Sequence, residues 1–272
     1  MRAGDAGGET RLASGGDVAS LPTYKIIVAY DGTDYIGWQR QATGTSIQGL
    51  IEDALREFGD GDIAVSGAGR TDAGVHALAQ VASFALVRAI APDAVVRALN
   101  AKLPDAVRVT AAEEVPASFH ARFDARRKTY RYRIWNGDVL PPFERRYAWH
   151  VPGRLDVEAM REAAALVEGE HDFAAFQSAG SDVATTTRHV YASTLVADGA
   201  LLVYETIADG FLRHMVRALA GSLVEVGRGR EAADWITRVL DSRERRAAGR
   251  TAPAQGLFLV RVDYPDALAA ER

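Results

Sequence analysis

The chain has 272 residues, 48% of them hydrophobic and 25% charged, with 32 basic against 36 acidic side chains and a formal net charge of −4. This is the composition of a globular protein with a sizeable core, and the negative balance argues against a uniformly basic nucleic-acid binder while leaving room for a local basic patch. The absence of cysteine excludes a disulfide framework, thiolate zinc ligation and a cysteine nucleophile. It also fits a reducing, cytoplasmic setting.

Residues 1–20 are rich in Gly, Ala and Asp, without periodicity or the apolar stretch of a signal peptide, and read as a disordered tail. Lys25–Tyr30 (KIIVAY) is a strand stopped by Asp31-Gly32. Ser46 is placed to cap a helix whose apolar face is Ile47, Leu50, Ile51, Ala54, Leu55 and Phe58, with Gly59 ending it. Ile63–Ser66 and Gln80–Leu86 read as strands. Pro92 suits the first turn of a helix faced by Val95, Val96 and Leu99, and Val107–Ala111 is a further strand. The order is β-α-β-β-α-β.

The second half repeats that order. Lys128–Trp135 is a strand, and Asp156 caps a helix carrying Met160, Ala163, Ala164 and Val167. His189–Ala197 and Ala200–Ile207 are strands joined at Asp198-Gly199, a two-residue hairpin signal. Arg213–Val226 reads as an apolar helix ending at Gly227, a short helix follows around Trp235–Leu240, and Leu257–Val262 closes the set. No residue-level repeat accompanies the repeated order. The fold class expected is α+β: two tandem βαββαβ units of the split-βαβ kind sharing a cleft. The expected division is a tail over 1–20, an N-terminal domain over 21–116 carrying a catalytic loop, a C-terminal domain over 117–266 and a tail over 267–272, with Pro116 at the join. No run approaches the ~18 apolar residues of a membrane span.

Three segments carry chemistry. Val65–His76 (VSGAGRTDAGVH) leaves a strand and crowds Gly67, Gly69 and Gly74 around Arg70, Thr71 and Asp72, its only acid. It is either a glycine-rich turn with an incidental Arg-Asp pair or an active-site loop. A dinucleotide fingerprint is disfavoured, because Asp72 stands at the third glycine position and a strand, not a helix, follows. Phe119–Trp135 (FHARFDARRKTYRYRIW) interleaves arginines with aromatics. On a strand Tyr130, Tyr132 and Ile134 share one face, while Arg131 and Arg133 share the other. This suits base stacking beside guanidinium groups, or simply a solvated basic face. In Gly210–Gly227, Arg213 and Arg217 are i, i+4 neighbours flanking His214. A buried Arg there needs an anion, and Asp72 is the natural candidate. The six histidines show no metal-ligand spacing, and no G-x-S-x-G elbow is present. A non-catalytic RNA-binding module and a nucleotide-dependent enzyme remain the competing classes.

The blocks YDGTDYIGWQRQ (30–41), GAGRTDAGVHA (67–77), FHARFDA (119–125), KTYRYRIWN (128–136), FLRHMVRALAGSLVEVG (211–227) and GLFLVRVDYP (256–265) resemble the tRNA pseudouridine synthase A (TruA) family, from about Tyr24 to Pro265. The resemblance implies the pseudouridine synthase fold and isomerisation of uridine to pseudouridine at positions 38 to 40 of the tRNA anticodon stem-loop. It also implies tRNA as partner, a homodimer in which each tRNA contacts both subunits, and no cofactor or metal. By the same resemblance Asp72 is the catalytic aspartate, Arg70 helps the target uridine leave the stack and Tyr130 stacks on the base. Arg217 pairs with the aspartate, and Leu257 packs beneath the site. The carboxylate's role stays open among nucleophile toward the sugar, nucleophile toward the base and base toward a sugar proton.

Overall fold

The apolar alternation of Thr23–Tyr30 (β1) buries Tyr24, Ile26, Val28 and Tyr30 on one face. In this computed structural model, which describes residues 21–265 apart from 60, 179, 181 and 182, that strand is the start of one continuous sheet. The expected tails at 1–20 and 267–272 lie outside the described residues.

The first run of elements is β1, α1 (Ile47–Arg56), β2 (Ser66–Gly67), β3 (His76–Ala85), α2 (Pro92–Asn100) and β4 (Val107–Val115). Ser46 caps α1 as expected, its hydroxyl accepting from the Gly49 amide at 3.1 Å. Ile47, Ile51 and Leu55 are fully buried along one stripe. The helix stops at Arg56, before Gly59. Gly59 has a packing role instead, since a Cβ there would stand 2.2 Å from the Ile63 side chain and 2.8 Å from the Leu55 carbonyl oxygen. The strand expected at Ile63–Ser66 shrinks to the two residues of β2, which pair with Ala82 and Ser83.

The second run is β5 (Arg127–Trp135), β6 (Trp149–His150), α3 (Val157–Ala165), β7 (Gly169–Asp172), β8 (Thr187–Asp198), β9 (Leu201–Ala208), α4 (Met215–Gly227), α5 (Trp235–Ser242) and β10 (Leu257–Asp263). The β8–β9 hairpin turns at Gly199, which takes a φ of +57°. Asp156 caps α3 through its carboxylate and the Ala159 amide, 3.0 Å apart. β6 and β7 escape sequence reading: one is two residues long and the other, GEHD, carries no apolar alternation.

The strands run β4-β1-β3-β10-β5-β9-β8-β7, with β2 beside β3 and β6 beside β5. Strands from residues 23–115 form one side and strands from residues 127–263 the other. They meet where β10 runs parallel to β3, through Phe258 opposite His76 and Leu259 opposite Ala77. On its other edge β10 pairs antiparallel with β5. Every α4 residue except Arg217 and Glu225 is buried, so this helix is core on nearly all sides.

Two local expectations change. α4 begins at Met215, because His214 is left-handed at φ 64° and breaks the helix ahead of it. Arg213 is therefore off the helix, and its i, i+4 relation to Arg217 does not exist. On β5, Arg131 and Arg133 do stand opposite the tyrosines, but they pair with Glu205 and with Glu144 (2.6 Å). They brace the back of the strand and do not flank the rings.

Candidate active site

The loop between β2 and β3 is pinned from several directions. The Trp38 amide donates to the Thr71 carbonyl at 3.0 Å, and Gly37 and Asp72 form an isolated antiparallel bridge. The hydroxyls of Tyr30 and Thr71 are hydrogen-bonded at 2.8 Å, and the Gln80 side-chain amide donates to the Gly69 carbonyl at 2.9 Å. Glycine is required at two points. Gly74 runs at φ +77°, and a Cβ on Gly67 would stand 2.4 Å from the Trp38 indole. Gly69 has no such demand, its virtual Cβ meeting only the Lys128 ammonium at 3.6 Å.

This loop forms one wall of a cleft of about 1190 Å³, whose lining includes Arg70, Asp72, Tyr130, Arg217 and Leu257. All five residues singled out in the sequence thus come together from four separate segments. The volume exceeds the range of ordinary small-molecule pockets, roughly 300–1,000 Å³. Arg217, in the first turn of α4, donates through Nη1 to Asp72 Oδ2 at 3.2 Å and through Nε to the Ala252 carbonyl at 2.7 Å. Its side chain is 15% exposed and that of Asp72 33%. The guanidinium is therefore fixed by a backbone carbonyl on one side and neutralised by the carboxylate on the other.

The sequence pattern does not mark His214 as a site residue, yet its Nε2 lies 3.2 Å from the same Asp72 oxygen, while Nδ1 and the Ser178 hydroxyl are hydrogen-bonded at 2.7 Å. Burial, helped by the guanidinium groups of Arg217, Arg213 and Arg245, outweighs the Asp72 carboxylate and holds this imidazole below its ordinary pKa. Its approach depends on the left-handed turn at its own position, a feature that helical periodicity hides. Asp72 Oδ1 receives no hydrogen bond among the described residues, so one carboxylate oxygen is held and the other is available.

Tyr130 is 7% exposed and packs edge-on against Phe211, with ring centroids 5.0 Å apart. Burial, with Tyr30 and Asp72 nearby, pushes its phenol well above the ordinary value, so it stays protonated at neutral pH. Tyr132 is not a site residue: it is fully buried and donates to the Pro253 carbonyl at 2.7 Å. Leu257 is 6% exposed at the start of β10, paired opposite Tyr132. Arg70 is exposed and has no hydrogen-bond or ion-pair partner among the described residues. Lys128 and Arg122 also line the cleft, as does Phe123, whose ring is 75% exposed. Strand alternation already puts Lys128 on the Tyr130 face. No helix among the described residues is long and apolar enough to cross a membrane.

Comparison with known proteins identifies the family. A family model described as tRNA pseudouridine synthase matches residues 26–124 and 163–265. These ranges hold Arg70, Asp72, Arg217 and Leu257, and Tyr130 falls between them. A tRNA pseudouridine synthase A of Methylacidiphilum infernorum is 46% identical over 89% of this chain and 95% of its own length. The protein of the same name from Moorella thermoacetica is 46% identical over 90% of this chain and 100% of its own, and that of Beijerinckia indica 45% over 90% and 95%. Among solved structures, one of a Cbf5-Nop10-Gar1 complex aligns with 87% of this chain and 48% of that chain, at 15% identity and a TM-score of 0.36. A likeness at that level adds nothing to the near full-length relatives. The chain belongs to the tRNA pseudouridine synthase family, and it is an isomerase.

Proposed function

We propose that the chain isomerises uridine to pseudouridine at positions 38 to 40 of the tRNA anticodon stem-loop, with Asp72 as the catalytic carboxylate. The observation that carries this reading is the Asp72 carboxylate held at one oxygen by Arg217 and open at the other, in a cleft too large for a small metabolite alone. The reaction breaks the C1′–N1 bond, turns the uracil and joins C1′ to C5. C5 loses its hydrogen and N1 gains one, so atoms balance without oxidant, reductant or group donor. A single ionised carboxylate serves each route to that exchange, by attack on the sugar, attack on the base or removal of a sugar proton. Arg217 offsets its charge while leaving Oδ1 for the substrate.

A target uridine within a stem must leave the stack, at a cost of a few kcal/mol. Arg70, exposed and unpartnered, fills the vacated space. Tyr130 stacks on the extruded uracil as a neutral ring, and Leu257 packs beneath it. In this reading the enzyme is a homodimer that binds each tRNA across both subunits. Sedimentation at a mass about twice that of the chain, and of the complex with its tRNA, checks this.

The deciding experiment is tritium release from a tRNA transcript carrying 5-tritiated uridine. Wild type releases tritium. Asp72→Asn, folded and still binding, releases it at least ~1000-fold more slowly. Changing positions 38 to 40 to cytidine abolishes release, and release that persists would refute the positional assignment. Arg70→Ala slows release from the intact stem more than from an unpaired oligonucleotide. Equal loss on both would remove its flipping role.

A further inference from the structure

Of the three lysines in the chain, Lys25 pairs with Glu113 and Lys102 with Glu57. Lys128 has no hydrogen-bond or ion-pair partner among the described residues, although it is partly buried on the cleft side of β5. A carboxylate in contact would be the ordinary solution for a shielded ammonium, and an apolar side chain the ordinary replacement. Its charged surroundings are instead mainly cationic: the guanidinium groups of Arg122 and Arg188 oppose its charge, and only Asp209 favours it. Burial and these two arginines bring the amine down to about 8. A fold that holds like charges together around a cavity is arranged to receive an anion.

The position identifies which anion. Lys128 Nζ is 3.6 Å from where a Cβ on Gly69 would stand, so it adjoins the backbone that leads into Arg70 and Asp72. It also stands two residues before Tyr130 on the same strand face, a separation of about 7 Å. That distance spans about one nucleotide from a base resting on the Tyr130 ring.

We propose that Lys128, with Arg122 beside it, anchors a backbone phosphate of the RNA strand next to the target nucleotide. The inference rests on the RNA reading given above. An ammonium is a compact point charge that suits a phosphate oxygen without demanding one orientation, so the strand can still move as the base leaves the stack. The bound phosphate supplies the counter-charge that the free protein lacks.

The test combines Lys128→Gln and Lys128→Arg with anticodon stem-loop RNAs carrying one neutral methylphosphonate linkage at each position around the target uridine. Affinity is measured across a tenfold salt range. Lys128→Gln weakens binding about 10-fold and lowers the slope of log affinity against log salt by about one. One methylphosphonate position weakens wild type by a similar factor and leaves Lys128→Gln unaffected, and Lys128→Arg retains the wild-type pattern. The RNA-free Lys128→Gln protein melts a few degrees higher than wild type, because an uncompensated charge has been removed. A lysine with a merely structural role would lower the melting temperature instead. Penalties that multiply independently at every linkage, or an unchanged salt slope, overturn the proposal. Tritium release by wild type is read in parallel. Coupling at one linkage without release supports the phosphate anchor and sinks the catalytic reading.

Discussion

At Gly37 the backbone runs at φ +102°, and a Cβ there would stand 2.4 Å from the Thr71 carbonyl oxygen and 2.9 Å from the Asp72 carbonyl carbon. Because Gly37 also bridges to Asp72, Gly37→Ala must displace the segment that carries the carboxylate. The expected cost is about 1–3 kcal/mol of stability, measured by urea denaturation, with tritium release falling further than the folded fraction explains. At this scale much of the site is legible in the sequence. Asp72 is the only acid in its loop, and a lone arginine on an apolar helix needs an anion, so their pairing follows from elementary electrostatics. His214 is not legible, because its contact with Asp72 requires a left-handed residue where the apolar pattern runs on unbroken. Lys128 is legible only by parity with Tyr130, and its lack of a partner emerges from packing alone.

Among the elements, α4 sets the position of Arg217, and it does so by lying unusually close to the chain at 249–252. A Cβ on Gly221 would stand 1.8 Å from the Arg250 carbonyl oxygen, and the Gly249 amide donates to the Ser222 hydroxyl at 2.9 Å. The same stretch brings Ala252, whose carbonyl accepts from the Arg217 side chain and whose amide donates to the Arg217 carbonyl at 3.0 Å. Gly221→Ala pushes the stretch outward and loosens the guanidinium. It should lower stability by about 1–3 kcal/mol in chemical denaturation, and the surviving folded protein should release tritium more slowly. The long apolar elements were readable because burial imposes a period of two or 3.6 on them. β2, β6 and β7 were not, since two to four residues with little apolar content form strands only because a neighbouring edge offers hydrogen bonds.

Across the whole molecule, the pH response follows from groups that the fold holds away from their ordinary values. His76 is 1% exposed. Its Nδ1 lies 3.1 Å from both the Gly32 amide nitrogen and Asp31 Oδ1, and its Nε2 donates to the Arg146 carbonyl at 3.0 Å. Burial, against the pull of Asp31, keeps its pKa below the usual value near 6.5. His214 is lowered as well. In both cases the unfolded chain binds the extra proton first, so stability is complete above about 6.5 and declines as pH falls through that value. For Asp31, hydrogen bonds from the Thr33 hydroxyl and amide and from Tyr147 outweigh burial and hold the carboxyl low. Its contribution is present above about 4 and is lost as pH falls further. Melting temperatures should therefore fall in two stages on acidification, with His76→Gln reducing the first stage. The expected alternation of two similar element orders describes the strands well, but not the order in which they stand side by side. β10 is last in the sequence of strands and yet central in the sheet, touching β3 on one edge and β5 on the other. A growing polypeptide has no cleft floor until translation has passed Asp263, because Leu257 and the strand that joins the two sides are made after every other strand. Docking of β10 is therefore the step that completes the cleft: the strands made before it can pair within each side, and only β10 joins the two.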